Sequence, residues 1–501
     1  MPADELRIAV PPGATGLDAE ARGLDALLNR LCYRRLARYA QATGPTGELV
    51  ADPPHLVPEL AEGWRVLDGG RRVVVTLRPG VRSAAGNELT AEDVVWSWRR
   101  AIALRDVGKW VARIGSIWDP EAVSAPARYE VEFRPRAANP SLLQQLTRAT
   151  PAIIDSVEAR RHASGEDPWA SGWLAGHAAG FGAYRLESLT PWSEAVLVAG
   201  DGPQPAFGRV RVLFVPGASR RRELLLAGEV DLLPRIDPRE RALLDGARGV
   251  RVSHAPSGAH LMLMMNCRRP PFDRREVRQA VCYAVPYERI LEEVYLGSAW
   301  PWRGPLASTT PMASEAGWPY RHDPARAREL LEGAGHGEGL STALFFGASS
   351  EAHRRAAGIV AESLAAVGIE IALEPMDGAT FWAGARYHRA YPMLLYESMH
   401  QVPDPYYALV HDYYPGPMGL INCGQYESDE VARLVDAIEG EPEPAARERL
   451  VHRAERRIVA DAPNAQLAQP AFLAALRDDL DGFSWAPDGV PQAELLSRRP
   501  A

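Results

Sequence analysis

Cysteine is scarce in this sequence of 501 residues. Its four cysteines, Cys32, Cys267, Cys282 and Cys423, lie far apart and form no C-x-x-C pair. This spacing excludes a zinc knuckle and a thioredoxin-type redox motif. We interpret the cysteines as buried free thiols, with a disulfide as the alternative.

Long apolar runs are also missing. Stretches such as Leu261–Met265 are far shorter than the roughly 20 residues that a membrane-spanning helix needs. The first ten residues, MPADELRIAV, lack the apolar segment of a secretory signal peptide. We therefore expect one of two situations: either an export signal was removed from this numbering, or the protein stays in the cytoplasm.

Charge and motif content exclude several classes of function. The net charge is −8, with 56 basic residues dispersed among 64 acidic ones, so there is no basic stripe for nucleic acid. The motifs G-x-x-x-x-G-K-[ST], H-E-x-x-H and G-x-S-x-G do not occur, and we predict no catalytic residue and no cofactor. His388, His400 and His411 are too widely spaced for a preformed metal site, so no metal ligand is predicted.

The most informative stretch runs from Leu60 to Ala101. Apolar residues alternate on both sides of Asp68-Gly69-Gly70, which predicts a β-hairpin with its turn at those residues. Beyond the hairpin the apolar period becomes helical, and Thr90 with Asp93 three residues later has the pattern of a capping box. The sequence therefore predicts a helix that starts at Thr90.

This hairpin and capped helix closely resemble the hallmark stretch of the family 5 solute-binding proteins, the peptide- and nickel-binding receptors of ABC importers. The resemblance rests on Leu60-Ala61-Glu62-x-Trp64, Thr76-Leu77-Arg78-x-Gly80-Val81 and Leu89-Thr90-Ala91-Glu92-Asp93-Val94-Val95. Similar segments begin at Asn266 (N-x-x-x-P-P-F-D-x-x-x-V-R-Q-A) and at Asp323 (D-P-x-x-A-x-x-L-L-x-x-A-G), so the resemblance extends from about Leu6 to Trp485. It implies an α/β protein with a two-lobed periplasmic-binding-protein-like fold of type II and an extra N-terminal subdomain.

The resemblance also divides the chain into three parts. A chain of 501 residues with 46% hydrophobic residues is large enough to give each part an apolar core. Lobe I is expected to comprise residues 1–45, 169–259 and 469–501, its extra subdomain residues 46–168, and lobe II residues 260–468.

Local patterns predict individual elements within this frame. We expect a first strand at Leu6–Val10 and then a helix from about Ala19 to Ala40. Asp273 with Glu276 has the pattern of an N-cap, which predicts a helix start at this point. The segment from Thr342 to Leu373 reads as a β-α-β unit, which requires parallel strands.

The segment Tyr391–Tyr407, YPMLLYESMHQVPDPYY, resembles the family pattern Y-D-M-x-L-x-x-W-x-x-D-Y-P-D-P. In many peptide binders of the family the tryptophan and the first aspartate face the ligand, and the aspartate pairs with the peptide's amino terminus. Here Ser398 stands at the tryptophan position and Gln401 at the aspartate position. Because a neutral amide replaces a charged anchor, an ordinary free-amine peptide is not the expected ligand.

Eight residues are predicted to contact the ligand on the basis of this resemblance: Tyr33, Lys109, Trp110, Arg148, Trp382, His400, Gln401 and Tyr426. A core aromatic remains the alternative for Tyr33, and a solvated helix face the alternative for Lys109. Cationic side chains without the acidic anchor favour an anionic or neutral polar ligand, such as a modified peptide, an opine-like or a sugar-like compound.

These observations lead to the hypothesis of a solute-binding protein whose two lobes close over a small polar ligand by hinge motion. By resemblance, its expected partner is a membrane ABC permease; we expect a monomer and no nucleic acid. The expected location is periplasmic, or extracellular and membrane-anchored, if a signal was removed, with a cytoplasmic location as the alternative. An enzyme or a cytoplasmic ligand sensor on the same fold remains the alternative function, because a fold alone does not fix a function.

Overall fold

The computed structural model describes residues 4–13, 16–18, 26–104, 107–200 and 205–499. The chain forms two compact units: unit 1 comprises Met1–Ala255 and Phe472–Ala501, and unit 2 comprises Pro256–Ala471. The division into lobe I, its extra subdomain and lobe II stays a prediction. Within the described ranges, no helix combines the length and the apolar character that crossing a bilayer requires.

Unit 1 is a mixed α/β unit. Its elements are, in chain order, β1 (Glu5–Val10), α1 (Ala26–Cys32), β2 (Ala37–Thr43), β3 (Leu49–Pro58), β4 (Ala61–Leu67), β5 (Arg72–Leu77), α2 (Ala91–Ala103), α3 (Val107–Ile114), β6 (Val123–Ala127), β7 (Glu130–Phe133), α4 (Ser141–Gln145), α5 (Ser156–Arg161), α6 (Ser171–Leu174), β8 (Tyr184–Thr190), β9 (Glu194–Ala199), β10 (Arg209–Phe214), α7 (Ala218–Leu226), β11 (Leu232–Leu233), α8 (Pro238–Leu244) and β12 (Val250–Pro256).

The main sheet of unit 1 is built around β1. This strand pairs in parallel with β10 on one side and with β11 on the other. Beyond β10 the sheet continues through antiparallel β9 and β8. Leu6 and Ile8 of β1 are buried in one apolar cluster and Ala9 in another, as expected for a strand covered on both faces.

A second, antiparallel sheet in unit 1 has the strand order β4-β5-β7-β6 and carries its own apolar core. The predicted hairpin is confirmed, because β4 and β5 pair across Asp68-Gly69-Gly70. The predicted helix start is also confirmed: Thr90 is the N-cap of α2, and its backbone N–H donates to Asp93 Oδ2 at 2.8 Å. Asp93 Oδ1 in turn accepts from Ser156 N at 2.9 Å, so the same carboxylate fixes the start of α5.

Unit 2 has the same mixed character. Its elements are β13 (Ala259–Met265), α9 (Arg275–Ala284), α10 (Tyr287–Glu293), β14 (Ala299–Trp300), α11 (Pro324–Gly333), β15 (Leu340–Gly347), α12 (Glu351–Ala365), β16 (Ile369–Met376), α13 (Gly378–Trp382), β17 (Met393–Met399), α14 (Pro405–Tyr413), α15 (Asp429–Glu439), α16 (Pro444–Asp461) and β18 (Asn464–Arg477). The last of these strands continues into unit 1, where β19 (Leu480–Asp481) and β20 (Ser497–Arg498) follow.

The sheet of unit 2 has the order β16-β15-β17-β13-β18. The predicted β-α-β unit is confirmed, since β15, α12 and β16 follow one another and the two strands are parallel. Strand β13 pairs antiparallel with β17 on one side and with β18 on the other. Its residues from His260 to Met265 are all buried, so this strand lies in the interior of unit 2.

Two sequence predictions were wrong. The predicted helix from Ala19 to Ala40 is, in its described part, only α1, and Ala37–Thr43 forms strand β2 instead. Pairing with β3 overrides the helix propensity of the alanines. The predicted N-cap at Asp273 is also wrong, because α9 begins one residue later than that cap allows, with Arg274 in the N-cap position.

Close packing around α1 requires glycine at residue 182. The Gly182 N–H donates to the carbonyl oxygen of Cys32 at 2.9 Å, and a β-carbon built on Gly182 would overlap that carbonyl group. We expect Gly182→Ala to lower the free energy of unfolding by about 1–3 kcal/mol, because backbone atoms must move apart.

The matched control is Gly176→Ala, since a β-carbon there meets open space. Urea denaturation followed by circular dichroism measures both variants. Equal stability of the Gly182→Ala variant and the wild-type protein would contradict the packing described for α1.

Candidate functional site

The four predicted site residues of unit 1 lie on or beside helices. Tyr33 follows α1 and is buried; its hydroxyl accepts a hydrogen bond from Ala179 N at 3.2 Å, and burial raises its pKa. Lys109 and Trp110 are neighbours on α3, where Lys109 is half-buried and Trp110 is buried. Arg148 is buried in the turn that follows α4.

The four predicted site residues of unit 2 have different partners. Trp382 is 41% exposed at the end of α13, with its ring edge-on to Tyr396 at 5.3 Å. The buried Tyr426 hydroxyl donates to Asp461 Oδ2 at 2.7 Å. His400 and the half-buried Gln401 follow β17 directly. A ligand-contacting role for these eight residues stays a prediction.

The structure places His400 in a group that we call the His–Asp cluster, which consists of His260, His400, His411 and Asp412. Three separate elements supply it. His260 lies on β13, directly opposite Ser398 of β17, and His400 follows the end of β17. His400 N donates to the Gly258 carbonyl at 2.9 Å, which holds the two histidine backbones side by side.

Helix α14 brings the other two members of the His–Asp cluster into place. Its N-cap is Asp404, whose side chain accepts from Tyr407 N at 2.9 Å and from Arg447 Nη2 at 3.1 Å. These contacts fix the start of the helix two turns before His411 and Asp412. The motif Pro403-Asp404-Pro405 therefore determines where the helix that carries Asp412 begins.

The Asp412 carboxylate is the centre of the His–Asp cluster. Its Oδ2 lies 2.7 Å from His400 Nε2 and 3.1 Å from His260 Nε2, and its Oδ1 lies 2.7 Å from His411 Nδ1. The side chains of His260, His400 and Asp412 have no solvent-exposed surface. Three imidazoles therefore converge on one carboxylate in the interior of unit 2.

Burial and these contacts set the protonation states. Burial lowers the pKa of His400 to about 4, although Asp412 opposes the shift, so the imidazole is neutral at pH 7. Burial alone would raise the pKa of Asp412, but His260, His400 and His411 outweigh it and hold this pKa well below the usual range. At neutral pH the cluster thus combines an ionised carboxylate with a neutral imidazole.

Aromatic rings enclose the His–Asp cluster. The His260 ring packs 4.5 Å from the indole of Trp302 and 4.5 Å from the His400 ring, at angles of 46° and 48°. His411 stacks on Tyr407 one helical turn away, with ring centroids 5.6 Å apart and an interplanar angle of 15°. The rings leave the imidazoles little freedom to rotate.

The sequence alone identified only part of this group. His400 was predicted as a ligand contact, whereas His260 was read as one residue of an apolar strand, and Asp412 was not singled out. Strand pairing between β13 and β17 brings His260 to His400, and no local spacing signals that pairing. An ionisable residue inside the otherwise apolar strand AHLMLMM was the one available signal.

Comparison with known structures defines the class of protein. The periplasmic binding protein DppA from Helicobacter pylori, solved with the peptide STSA, matches with a TM-score of 0.84 and 20% identity, covering 99% of this chain and 98% of that one. MoaA from A. tumefaciens R10, solved with mannopinic acid, matches with a TM-score of 0.82 and 22% identity, covering 99% of this chain and 100% of that one. The fold is therefore that of the type II periplasmic binding proteins, as the sequence predicted.

Sequence comparison identifies the family. The model of the bacterial extracellular solute-binding proteins, family 5 middle region, matches residues 55–419. A probable D,D-dipeptide-binding periplasmic protein, DdpA of Escherichia coli K12, is 24% identical over 460 residues, which cover 91% of this chain and 86% of that protein. The chain belongs to the family 5 bacterial extracellular solute-binding proteins.

Proposed function

We propose that this protein captures a small polar solute in the periplasm or at the cell exterior and delivers it to the membrane permease of an ABC importer. The family match over residues 55–419 is the observation that carries this proposal. The relative DdpA is named as a binding protein, and binding without chemical conversion is the role we propose for this chain as well.

The proposed ligand is anionic or neutral and polar, and it is recognised without a carboxylate anchor for a free amine. The half-buried Gln401 supports this class, because by the sequence resemblance it stands where many peptide binders of the family carry an aspartate. An amide does not compensate a buried ammonium group. A modified peptide, an opine-like or a sugar-like compound fits these conditions, and the similar protein MoaA was solved with mannopinic acid.

Substitution at Gln401 tests the ligand class. Gln401→Asp introduces the missing carboxylate, so we expect it to strengthen binding of free-amine peptides by about 1.5–3 kcal/mol and to weaken binding of an anionic ligand. Titration calorimetry with di- to pentapeptides and with opine-like acids measures both effects.

The matched control is Gln279→Asp on α9, which adds the same charge elsewhere in unit 2. Tight binding of common peptides by the wild-type protein, unchanged in the Gln401→Asp variant, would contradict both the ligand class and the placement of Gln401 at the ligand.

Lys109 allows a chemical test of the same proposal, since it is the only lysine in the sequence. An amine-directed reagent can therefore modify the chain only at Lys109 and at the α-amino group. If Lys109 contacts the ligand, a hundredfold excess of ligand over its Kd should slow modification of Lys109 by about 100-fold.

The α-amino group serves as the internal control in the same sample, and peptide mass spectrometry reads both positions. The ligand must first be shown by calorimetry to bind. If Lys109 is then modified at the same rate with and without that ligand, Lys109 does not contact it.

A further inference from the structure

The His–Asp cluster has a donor set that the proposed solute capture does not use. His260 Nε2, His400 Nε2 and Asp412 Oδ2 converge, and ligating atoms of these three side chains all lie within 4.8 Å of one another. Two imidazole nitrogens and one carboxylate oxygen are a ligand set typical of divalent transition metals in proteins. The three side chains come from β13, the end of β17 and α14, so the fold itself brings them together.

The distances are close to those that a metal ion imposes. Bonds of roughly 2.0–2.2 Å to a tetrahedral ion separate its ligand atoms by roughly 3.2–3.6 Å. The observed nitrogen–oxygen separations are 2.7 Å for His400 and 3.1 Å for His260. Shifts of less than an ångström would therefore open the contacts far enough to admit an ion.

Hydrogen bonding leaves the His260 nitrogen available. His260 Nδ1 lies 3.3 Å from the Gly258 carbonyl in hydrogen-bond geometry, whereas its Nε2 is poorly aligned with Asp412 Oδ2, so the hydrogen bond favours the tautomer with its proton on Nδ1. The lone pair of Nε2 then lies beside a carboxylate oxygen, and within the described residues neither His260 Nε2 nor His400 Nδ1 makes a hydrogen bond of good geometry. A cation between His260 Nε2 and Asp412 Oδ2 would replace this poorly aligned contact with a bond to each atom.

The surroundings match the usual outer contacts of a metal site. Metal-bound histidines typically donate their second N–H to a backbone carbonyl, as His260 does to Gly258. His411 Nδ1 contacts the remaining oxygen of Asp412 at 2.7 Å and thereby orients the carboxylate. His411 is thus a positioning residue and not a ligand.

We propose that His260, His400 and Asp412 bind one divalent transition-metal ion within unit 2, with Zn²⁺ as the ion to test. The site lies within one unit. The proposal that it binds a metal ion does not depend on which solute the protein carries. The bound ion would hold β13, β17 and α14 together, and its bonds would replace the short contacts of His260 and His400 with Asp412. No metal ligand was predicted from the sequence, because the spacing of His388, His400 and His411 is too wide and neither His260 nor Asp412 was considered as a ligand.

The test uses the full chain, freed of metal with a chelator and then dialysed. We expect one equivalent of Zn²⁺ in competition with a chromophoric chelator, and a rise in the melting temperature with added Zn²⁺. His400→Gln and Asp412→Asn should each weaken Zn²⁺ binding by at least about 100-fold. The control His452→Gln, a half-buried histidine on α16 whose Nε2 contacts Met312 O at 3.1 Å, should leave binding unchanged.

X-ray absorption of the wild-type protein loaded with Zn²⁺ keeps the test decisive if a variant fails to fold. The proposal predicts imidazole scattering from two histidines, with nitrogen and oxygen donors at roughly 2.0–2.2 Å. Less than one equivalent of bound Zn²⁺, an absence of imidazole scattering, or equal loss of binding in His452→Gln would each overturn it.

Discussion

Asp18→Ala is expected to lower the free energy of unfolding by about 3–5 kcal/mol, because it leaves the buried Arg100 guanidinium without a counter-charge. Arg100 on α2 and Asp18 form an ion pair in the core of unit 1, with 0% and 1% of their side chains exposed. The guanidinium donates to Asp18 Oδ1 at 2.8 Å and to Oδ2 at 2.5 Å. The Trp169 carbonyl and the Ser171 hydroxyl accept further hydrogen bonds, but neither carries the charge that Arg100 requires.

The control for this variant is an exposed ion pair whose arginine lies on the same helix, α2. Arg99 and Glu121 pair at 3.0 Å with 36% and 76% of their side chains exposed, so Glu121→Ala should cost about 1 kcal/mol or less. Urea denaturation at one pH and salt concentration compares the two variants directly. If Asp18→Ala and Glu121→Ala lower the free energy of unfolding by a similar small amount, the description of the Arg100–Asp18 pair as buried is contradicted.

Glu455→Gln is expected to stabilise the protein at pH 8, by up to about 4 kcal/mol, and to flatten its stability–pH profile. Glu455 on α16 is buried; its Oε1 accepts from Ser314 N at 3.3 Å, and its Oε2 has no hydrogen-bond partner in the described residues. Burial raises the pKa of this carboxyl to about 8, against the opposing effects of the Ser314 N–H hydrogen bond and the nearby Arg456 charge.

The sign of the pH effect follows from that pKa. Below pH 4 the carboxyl is protonated in both the folded and the unfolded chain, and it contributes nothing to the pH dependence. Between about pH 4.5 and pH 8 the unfolded chain ionises while the folded chain keeps its proton, so stability falls as the pH rises. Glutamine mimics the protonated form and removes this loss.

Thermal and urea unfolding between pH 5 and pH 9 measure the effect. Glu448→Gln, at an exposed position of the same helix, should leave the profile unchanged. If Glu455→Gln has the same slope of stability against pH as the wild-type protein, Glu455 ionises normally and the burial argument is contradicted.

Local patterns predicted the elements whose signals lie within a few residues. The capping box at Thr90 and the hairpin around Gly69 were correct, because hydrogen bonds within a short segment determine them. The β-α-β unit from β15 to β16 was also correct, although its two strands pair across the intervening helix α12. The strand β2 was missed, since ARYAQAT has no strand signal of its own and gains its structure from pairing with β3. The fold class came from the family resemblance and is confirmed.

The site could be predicted less completely. The pattern around Gln401 identified the segment after β17, but not the buried contacts that His400 makes there. Those contacts depend on His260, from a strand distant in sequence, and on the helix that Asp404 starts. Long-range pairing of this kind leaves no periodicity in the sequence, and so composition and spacing did not reveal it.

Native mass spectrometry of the protein purified from its own host tests directly whether it captures a small polar solute. We expect one small, polar, anionic or neutral molecule per chain, released chemically unchanged on denaturation. A protein that carries no small molecule and takes none up from a host extract, or one that converts the molecule into a product, would contradict it.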